Sequence, residues 1–391
     1  DGVEGYWRYP WSHAPVDVQS FWYETTEGMS VPRKVVFATN VAENSVTING
    51  VSVVIDTGVE NRVVWDPVRR CTQSCIVPIS QSSAKQRAGR AGRLQPGVCI
   101  RIYEQMEFYN RPVQGPMEPH SGDPRSQMLQ SIVLENQPFV GAWYERPSEA
   151  TLAVANADLY VYGAVDSHNT KTKIGKYMTL TACNDMGAQR LIAGALEKGV
   201  LLKEAVWLAA VVENEVSLFK TPIKESKFTH PMGDVGTLIN VMYSVLWMYG
   251  HDREMPEGSV WGFQANTHVY FKNRITKWAS TCGLDARAIS SVCETCEQTM
   301  TRIHDGLKTL GWKTTSPCES NPKSPAYWPE LMQLVYDAFK FNLYVSCHCG
   351  RYTGAVDGSV VRPGRQTSMA LGPFLVCLKR QAMHGLTNAS Y

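Results

Sequence analysis

Neither sign of charge dominates this sequence. Lys and Arg number 38 and Asp and Glu 36, a formal net charge of +2 over 391 residues. It therefore lacks the global basic field of many nucleic-acid binders, and any such surface has to be local. No apolar run approaches the roughly eighteen residues of a membrane span, which argues against a transmembrane helix. The 11 cysteines are too sparse for a disulfide scaffold and fit a reducing compartment. There is no signal-peptide pattern and no initiator Met. Asp1 leads straight into Trp- and Pro-rich sequence and the end at Tyr391 is equally abrupt, so we read the chain as a piece of a longer one. No internal repeat is evident.

The chain is 44% apolar and 19% charged, a globular composition, and its length suits two to four domains. Residues 34–38 (K-V-V-F-A) and 51–55 (V-S-V-V-I) are short apolar, β-branched runs that predict buried strands. Residues 62–65 and 75–79, parted by the turn-prone Asp66-Pro67, predict a hairpin. Residues 81–92 have helical spacing and 98–103 predict another strand, which together suggest an α/β layer. After about residue 115 the pattern changes, and periodic apolar faces predict helices over 123–134, 149–160, 187–196, 202–212, 234–247 and 286–307. The stretch 201–212 is apolar nearly all round and reads as a core helix. A Pro- and Ser-rich linker over 314–325 leads to a helix over 327–341 and then to short β-like pieces broken by Gly.

The strongest chemical signal is Gln86-Arg87-Ala88-Gly89-Arg90-Ala91-Gly92-Arg93. On a helix, Gln86 and Arg90 share one face with Arg93. Guanidinium forks suit phosphate oxygens bidentately. Gly89 lets a ligand come close, at a cost of roughly 1 kcal/mol of helix propensity. A solvated basic face is the bland alternative, and the full string favours phosphate over it.

This string resembles motif VI of superfamily 2 helicases, and its central Ala resembles the DEAH-box branch. Residues 37–48 (F-A-T-N-V-A-E-N-S-V-T-I), about forty residues upstream, resemble motif V of the same branch. The resemblance implies an ATP-dependent RNA helicase. Arg90 and Arg93 are then arginine fingers on the γ-phosphoryl group, and Gln86 orients the attacking water or touches that phosphate. Ser45, Asn49 and Gly89 are implied to lie at the nucleotide, and Thr39, Asn40 and Thr47 at the RNA backbone, where contacts position without reading sequence. The hairpin around 59–77 resembles the family's wedge at a duplex end, with Arg62, Arg69 and Arg70 placed to meet phosphate.

Two departures stand out. The family usually has Thr where this chain has Asn44, and a ribose-associated Asp where it has Asn49. The chain also contains no G-x-x-x-x-G-K-[ST] loop and no Asp-Glu-x-His box. Both belong to a first RecA-like lobe, expected before Asp1, which would bind ATP phosphates and supply the Mg²⁺ ligands. The resemblance thus implies half of an ATP site, a chain inactive alone and active within the complete protein.

Weaker resemblances extend further. Residues 116–119 (P-M-E-P) with 128–134 resemble the exit from the second lobe. Residues 147–165 with 173–178 resemble a winged helix, although the family's Leu-Thr before its Gly is missing. Residues 187–212, Gly233-Asp234 with 237–241, and Trp278-Ala279 with 284–289 resemble a helical ratchet domain, Val235 standing where the family has His. Residues 339–391 resemble a truncated OB-like barrel, a fold that binds single strands. The expected fold is an α/β RecA-like lobe over 1–136, a winged helix over 137–186, a ratchet domain over 187–315, and a linker with a partial OB-like end over 316–391. Expected partners are RNA, the first lobe and a glycine-rich-patch activator, with no membrane, in the nucleus or cytoplasm.

Cys293-x-x-Cys296 and Cys347-His348-Cys349 invite a zinc reading. The first pair falls inside a predicted helix and no second pair has finger spacing, so no metal site is assigned. The substitutions at Asn44 and Asn49 motivate a rival of another class, a non-catalytic RNA-binding scaffold derived from a degenerate helicase.

Overall fold

The structure is a computed structural model describing residues 35–44, 48, 50–91, 96–115, 123–135, 146–214, 217–250, 268–311, 320–347, 350–363, 367, 372–383 and 386–390. The chain divides into two units, 1–64 with 73–122 and 65–72 with 123–391.

In the first unit a single helical turn, α1 (Val41–Asn44), precedes strand β1 (Val53–Asp56). A hairpin follows, formed by β2 (Val59–Asp66) and β3 (Cys71–Pro78), whose connecting tip lies in the second unit. Next come α2 (Gln81–Gly89), β4 (Val98–Arg101) and α3 (Gln105–Asn110). β1 and β4 pair in parallel, with Val53 opposite Val98 and Asp56 opposite Arg101. Parallel neighbours require a crossover, which the hairpin and α2 supply. The turn after Asp66-Pro67 forms as the sequence predicts. Asp66 accepts the N–H groups of Val68 and Arg69 at 2.9 and 3.0 Å.

Of the expected buried strand over 34–38, the described residues 35–38 form no strand and are exposed. Val35 makes one isolated bridge, and Val36 and Phe37 are exposed and outside any strand. An apolar run becomes a buried strand only where neighbours pair with it and cover it. Among the described residues no strand pairs with 36–38. α3 was not foreseen; its residues carry no apolar periodicity, and none is buried.

The second unit is helical and then β. Its helices are α4 (Arg125–Glu135), α5 (Glu149–Val161), α6 (Lys173–Met178), α7 (Met186–Lys198), α8 (Leu202–Asn214), α9 (Gly233–Gly250), α10 (His268–Thr281), α11 (Ala286–Thr309) and α12 (Tyr327–Phe339). Side-chain caps start several of them, as at Ser148, Asp185 and Asp285. One apolar core extends from Met128 to Leu378. α8 is buried all round, as its composition predicts, and Trp207 at its centre donates its indole N–H to Leu238 O at 3.1 Å. α6 and α10 went unread, α6 because six residues are too short to show a period. Of the expected linker, 320–325 is a run of turns and 314–319 lies outside the described residues.

The β-like C-terminal pieces form a six-stranded sheet from β5 (Leu343–Cys347), β6 (Arg351–Gly354), β7 (Val360–Pro363), β8 (Phe374–Val376), β9 (Lys379–Met383) and β10 (Leu386–Ser390). Their order is β8-β5-β6-β7-β10-β9. Neighbours run antiparallel except β7 and β10. Tyr344, Tyr352, Val361 and Cys377 form a small core of their own. No helix among the described residues is long and apolar enough to cross a membrane.

Candidate functional site

α2 carries the arginine-rich string. Ser80 caps it by accepting the Ser83 N–H at 3.2 Å, and the helix ends at Gly89 with Arg90 as its C-cap. The expected shared face therefore reaches only as far as Arg90, which is half-buried, while Gln86 is exposed on the last turn. Gly89 faces open space: a Cβ added there would meet no atom within 4 Å. Arg93 lies outside the described residues, as do Ser45, Thr47 and Asn49.

The arginine that organises this region is Arg87, which our sequence reading passed over. Its Nε donates to Glu43 Oε1 of α1 at 2.7 Å. Its Nη1 donates to Asp56 Oδ1 at the end of β1 and to the Val59 carbonyl opening β2, both at 3.0 Å. Both carboxylates are satisfied further. Ser83 Oγ donates to Glu43 Oε2, and Asp56 accepts the Gly58 N–H at 3.0 Å and the Tyr103 hydroxyl at 2.8 Å. Buried charges persist only when paired and hydrogen-bonded in this way. Burial pulls the Arg87 pKa down, but bonding to Glu43 and Asp56 outweighs it and the net shift is upward. Burial and the hydrogen bond to Asp56 push the Tyr103 phenol up to about 12. One clue to Arg87 was legible in the sequence: it stands three and four residues after Ala84 and Ser83, on the inward face of α2.

Gly58 makes the neighbouring turn possible. Its φ is +73°, and an added Cβ would run into the Tyr103 ring and the Arg111 guanidinium. That guanidinium lies 4.0 Å from the Tyr103 ring centroid and donates to Gly58 O at 2.8 Å.

Thr39 and Asn40 are exposed just ahead of α1, and their carbonyls accept the Ala42 and Glu43 N–H groups at 3.1 and 2.9 Å. In the hairpin, Arg62 Nε donates to Glu60 at 2.9 Å. Arg69 is exposed and 3.9 Å from Asp66. Arg70 pairs with a buried carboxylate. It closes the hairpin turn at φ +52°, and its Nε donates to both oxygens of Asp158 at 2.8 and 3.0 Å. Its guanidinium lies 4.9 Å from the Phe341 ring centroid. Asp158 is 1% exposed and also accepts from Arg125 Nη1 at 3.1 Å. A carboxylate so deeply buried demands cationic partners, and Arg70 supplies one.

Cys293 and Cys296 are buried in α11, where burial pushes both thiols above their ordinary pKa. Cys347 is half-buried, and His348 and Cys349 lie outside the described residues. Among the described residues no group of three or more His, Cys, Asp or Glu stands together as metal ligands would.

Residues 27–95 match the helicase conserved C-terminal domain. The chain is 36% identical over 167 residues to the "Probable ATP-dependent RNA helicase DHR2" of Saccharomyces cerevisiae, covering 42% of this chain and 22% of that protein. It is 29% identical over 221 residues to the "ATP-dependent RNA helicase HrpA" of Borreliella burgdorferi, covering 54% of this chain and 26% of that protein. The chain thus spans about a quarter of these relatives. Two crystal structures of Escherichia coli HrpB, described as a DExH-box NTPase and as a DEAH/RHA helicase, share the fold at TM-scores of 0.62 and 0.58. They are 19% and 20% identical, and they cover 94% and 92% of this chain and 36% of each HrpB chain. The helicase-domain match and the curated RNA helicase relatives agree with the two motifs bound together at Arg87: residues 27–95 carry a helicase conserved C-terminal domain, and the chain is similar to the C-terminal portion of DEAH-box superfamily 2 RNA helicases.

Proposed function

We propose that this chain supplies the second RecA-like half of an ATP-driven RNA-remodelling site. The observation that carries the reading is the bonding of the motif V-like turn to the motif VI-like helix, through Ser83 and Arg87 on Glu43. Two strings recognised separately in the sequence are one physical unit. Gln86 and Arg90, with Arg93, face the γ-phosphate of ATP across open space above Gly89. They neutralise charge that develops on the transferred phosphoryl group, an electrostatic role that needs no covalent chemistry from this lobe. Ser45, Asn49 and Gly89 border the nucleotide. Thr39, Asn40 and Thr47 grip the RNA backbone, with Arg62 and Arg69 adding positive charge on the hairpin.

In this reading residues 1–136 are the RecA-like lobe, 137–186 a winged helix, 187–315 a ratchet domain, and 316–391 a linker with a partial OB-like barrel. A first RecA-like lobe completes the ATP site and contributes whatever holds Mg²⁺. RNA is the substrate, a glycine-rich-patch protein is a candidate activator, and the setting is intracellular. The mostly antiparallel C-terminal sheet supports the OB-like assignment, and the run of capped helices before it supports the ratchet.

The test is RNA-stimulated ATP hydrolysis by the complete protein. Arg90→Ala is expected to lower turnover by roughly 10³-fold while leaving RNA affinity near wild type. Unchanged turnover would remove the finger role, and a wild-type protein that binds RNA without hydrolysing ATP would favour a scaffold.

A further inference from the structure

Arg87 is joined at each end to a different part of the proposed site. Towards the RNA side, the Asn40 carbonyl accepts the Glu43 N–H at 2.9 Å, and the Glu43 carboxylate holds Arg87 Nε at 2.7 Å. Towards the nucleotide side, the Arg87 carbonyl accepts the Arg90 N–H at 3.1 Å. Laterally, Nη1 holds Asp56 and the Val59 carbonyl, so the root of the hairpin is tied to the same side chain. One planar fork therefore bonds three separate segments, and two carboxylates share a single cation. Lysine offers a point charge with no fixed fork and does not satisfy all three acceptors in this geometry. A packing role alone would not require carboxylates whose remaining oxygens are held by Ser83 and Tyr103. Such a cluster is sensitive to displacement, because moving α1 breaks a charged hydrogen bond in a partly water-excluded setting.

We propose that Arg87, held between Glu43 and Asp56, is the positioning residue that transmits RNA occupancy at the Thr39–Asn40 turn to α2 and Arg90. This rests on the functional reading above and assigns the coupling to one side chain. In this assignment Arg87 acts through Glu43 and α2, not by direct contact with RNA or nucleotide.

The test uses the chain itself with an oligouridine of roughly 12 nucleotides as probe. Fluorescence anisotropy reads binding, and hydrogen–deuterium exchange reads peptides spanning 81–91. RNA is expected to slow exchange in those peptides by about fivefold or more, the lower end of ordinary coupling between sites. Arg87→Lys is expected to bind the probe within about threefold of wild type yet lose the slowing in α2. Should Arg87→Lys unfold α2, as judged by its exchange without RNA, Ser83→Ala decides instead. It loosens Glu43 without removing charge, and a weakened response is expected. Either variant responding fully, or bound RNA leaving α2 unaffected in the wild type, overturns the inference and leaves the functional reading standing. A wild-type chain that binds no oligouridine removes both.

Discussion

In the first unit the buried apolar side chains among the described residues are Ile79, Ala84 and Ala91; in the second they form a large core from Met128 to Leu378 and a small one in the C-terminal sheet. The first unit is organised instead by guanidinium groups. Arg87 ties α1, β1 and β2, while Arg111 ties Gly58 to α3 through Glu107. Charged hydrogen bonds are directional, so they fix where a few groups point. Apolar burial is non-directional and roughly proportional to area, so it fixes a shape. The unit proposed to do chemistry is thus built from contacts that a ligand can rearrange, and the helical unit from contacts that resist rearrangement.

The sharpest break of this contrast is Trp207→Ala. It removes a fully buried indole from α8 and is expected to destabilise the second unit by about 3–5 kcal/mol in urea titrations followed by circular dichroism. Exchange in α2 should stay unchanged; a parallel loss there would mean that the two chemistries are not separable. Next is Asp158→Asn, which leaves Arg70 facing a neutral amide and Arg125 with Asp123 as its carboxylate partner. A loss of about 3 kcal/mol is expected, since a buried pair broken on one side strands a charge. A stable Asp158→Asn protein would show that the ionic cluster is dispensable to the core. Asp185→Ala removes the cap that holds the Ala188 N–H at 2.9 Å and should cost about 1 kcal/mol, read as a lowered melting temperature.

The smallest effect concerns pH. His230 stacks on Trp328 with centroids 4.3 Å apart, and its Nδ1 accepts the Met232 N–H at 3.1 Å. Burial lowers its pKa from 6.5, so the folded chain holds the ring neutral where an unfolded chain takes up a proton. The stability it contributes is present above pH 6.5 and is lost as pH falls towards the lowered folded value. Melting temperatures at about pH 7.5 and about pH 5.5 should differ less in His230→Phe than in wild type. An equal difference in both proteins would assign the slope to other groups.

What the sequence made legible follows the same divide. The helices over 149–161 and 286–309 were readable because their apolar faces repeat behind Ser148 and Asp285, and that over 202–214 because it is apolar nearly all round. In the first unit the hairpin was readable from Asp66-Pro67, and α2 from its polar helical spacing. The roles of its arginines were not readable. Arg87 and Arg90 look alike in the string, and the partners that single out Arg87, Glu43 and Asp56, lie 44 and 31 residues upstream. The Arg70 ion pair was not readable because its partner Asp158 is 88 residues away. Resemblance marked the residues proposed to face a ligand, and pairing across long sequence separations decided which charges are tied within the protein.

The residues at 65–72 carry a practical consequence. The polypeptide passes from one unit to the other three times, at 64–65, 72–73 and 122–123. No single cleavage or truncation can therefore yield an intact helical unit. Expression of 123–391 alone would discard Arg70 and Trp65, leaving Asp158 with Arg125 as its remaining cation and removing the indole ring that lies 5.3 Å from the Arg125 guanidinium. Recombination that shuffles this lobe onto another partner faces the same restriction, so the hairpin tip and the helices that receive it are bound to be inherited together.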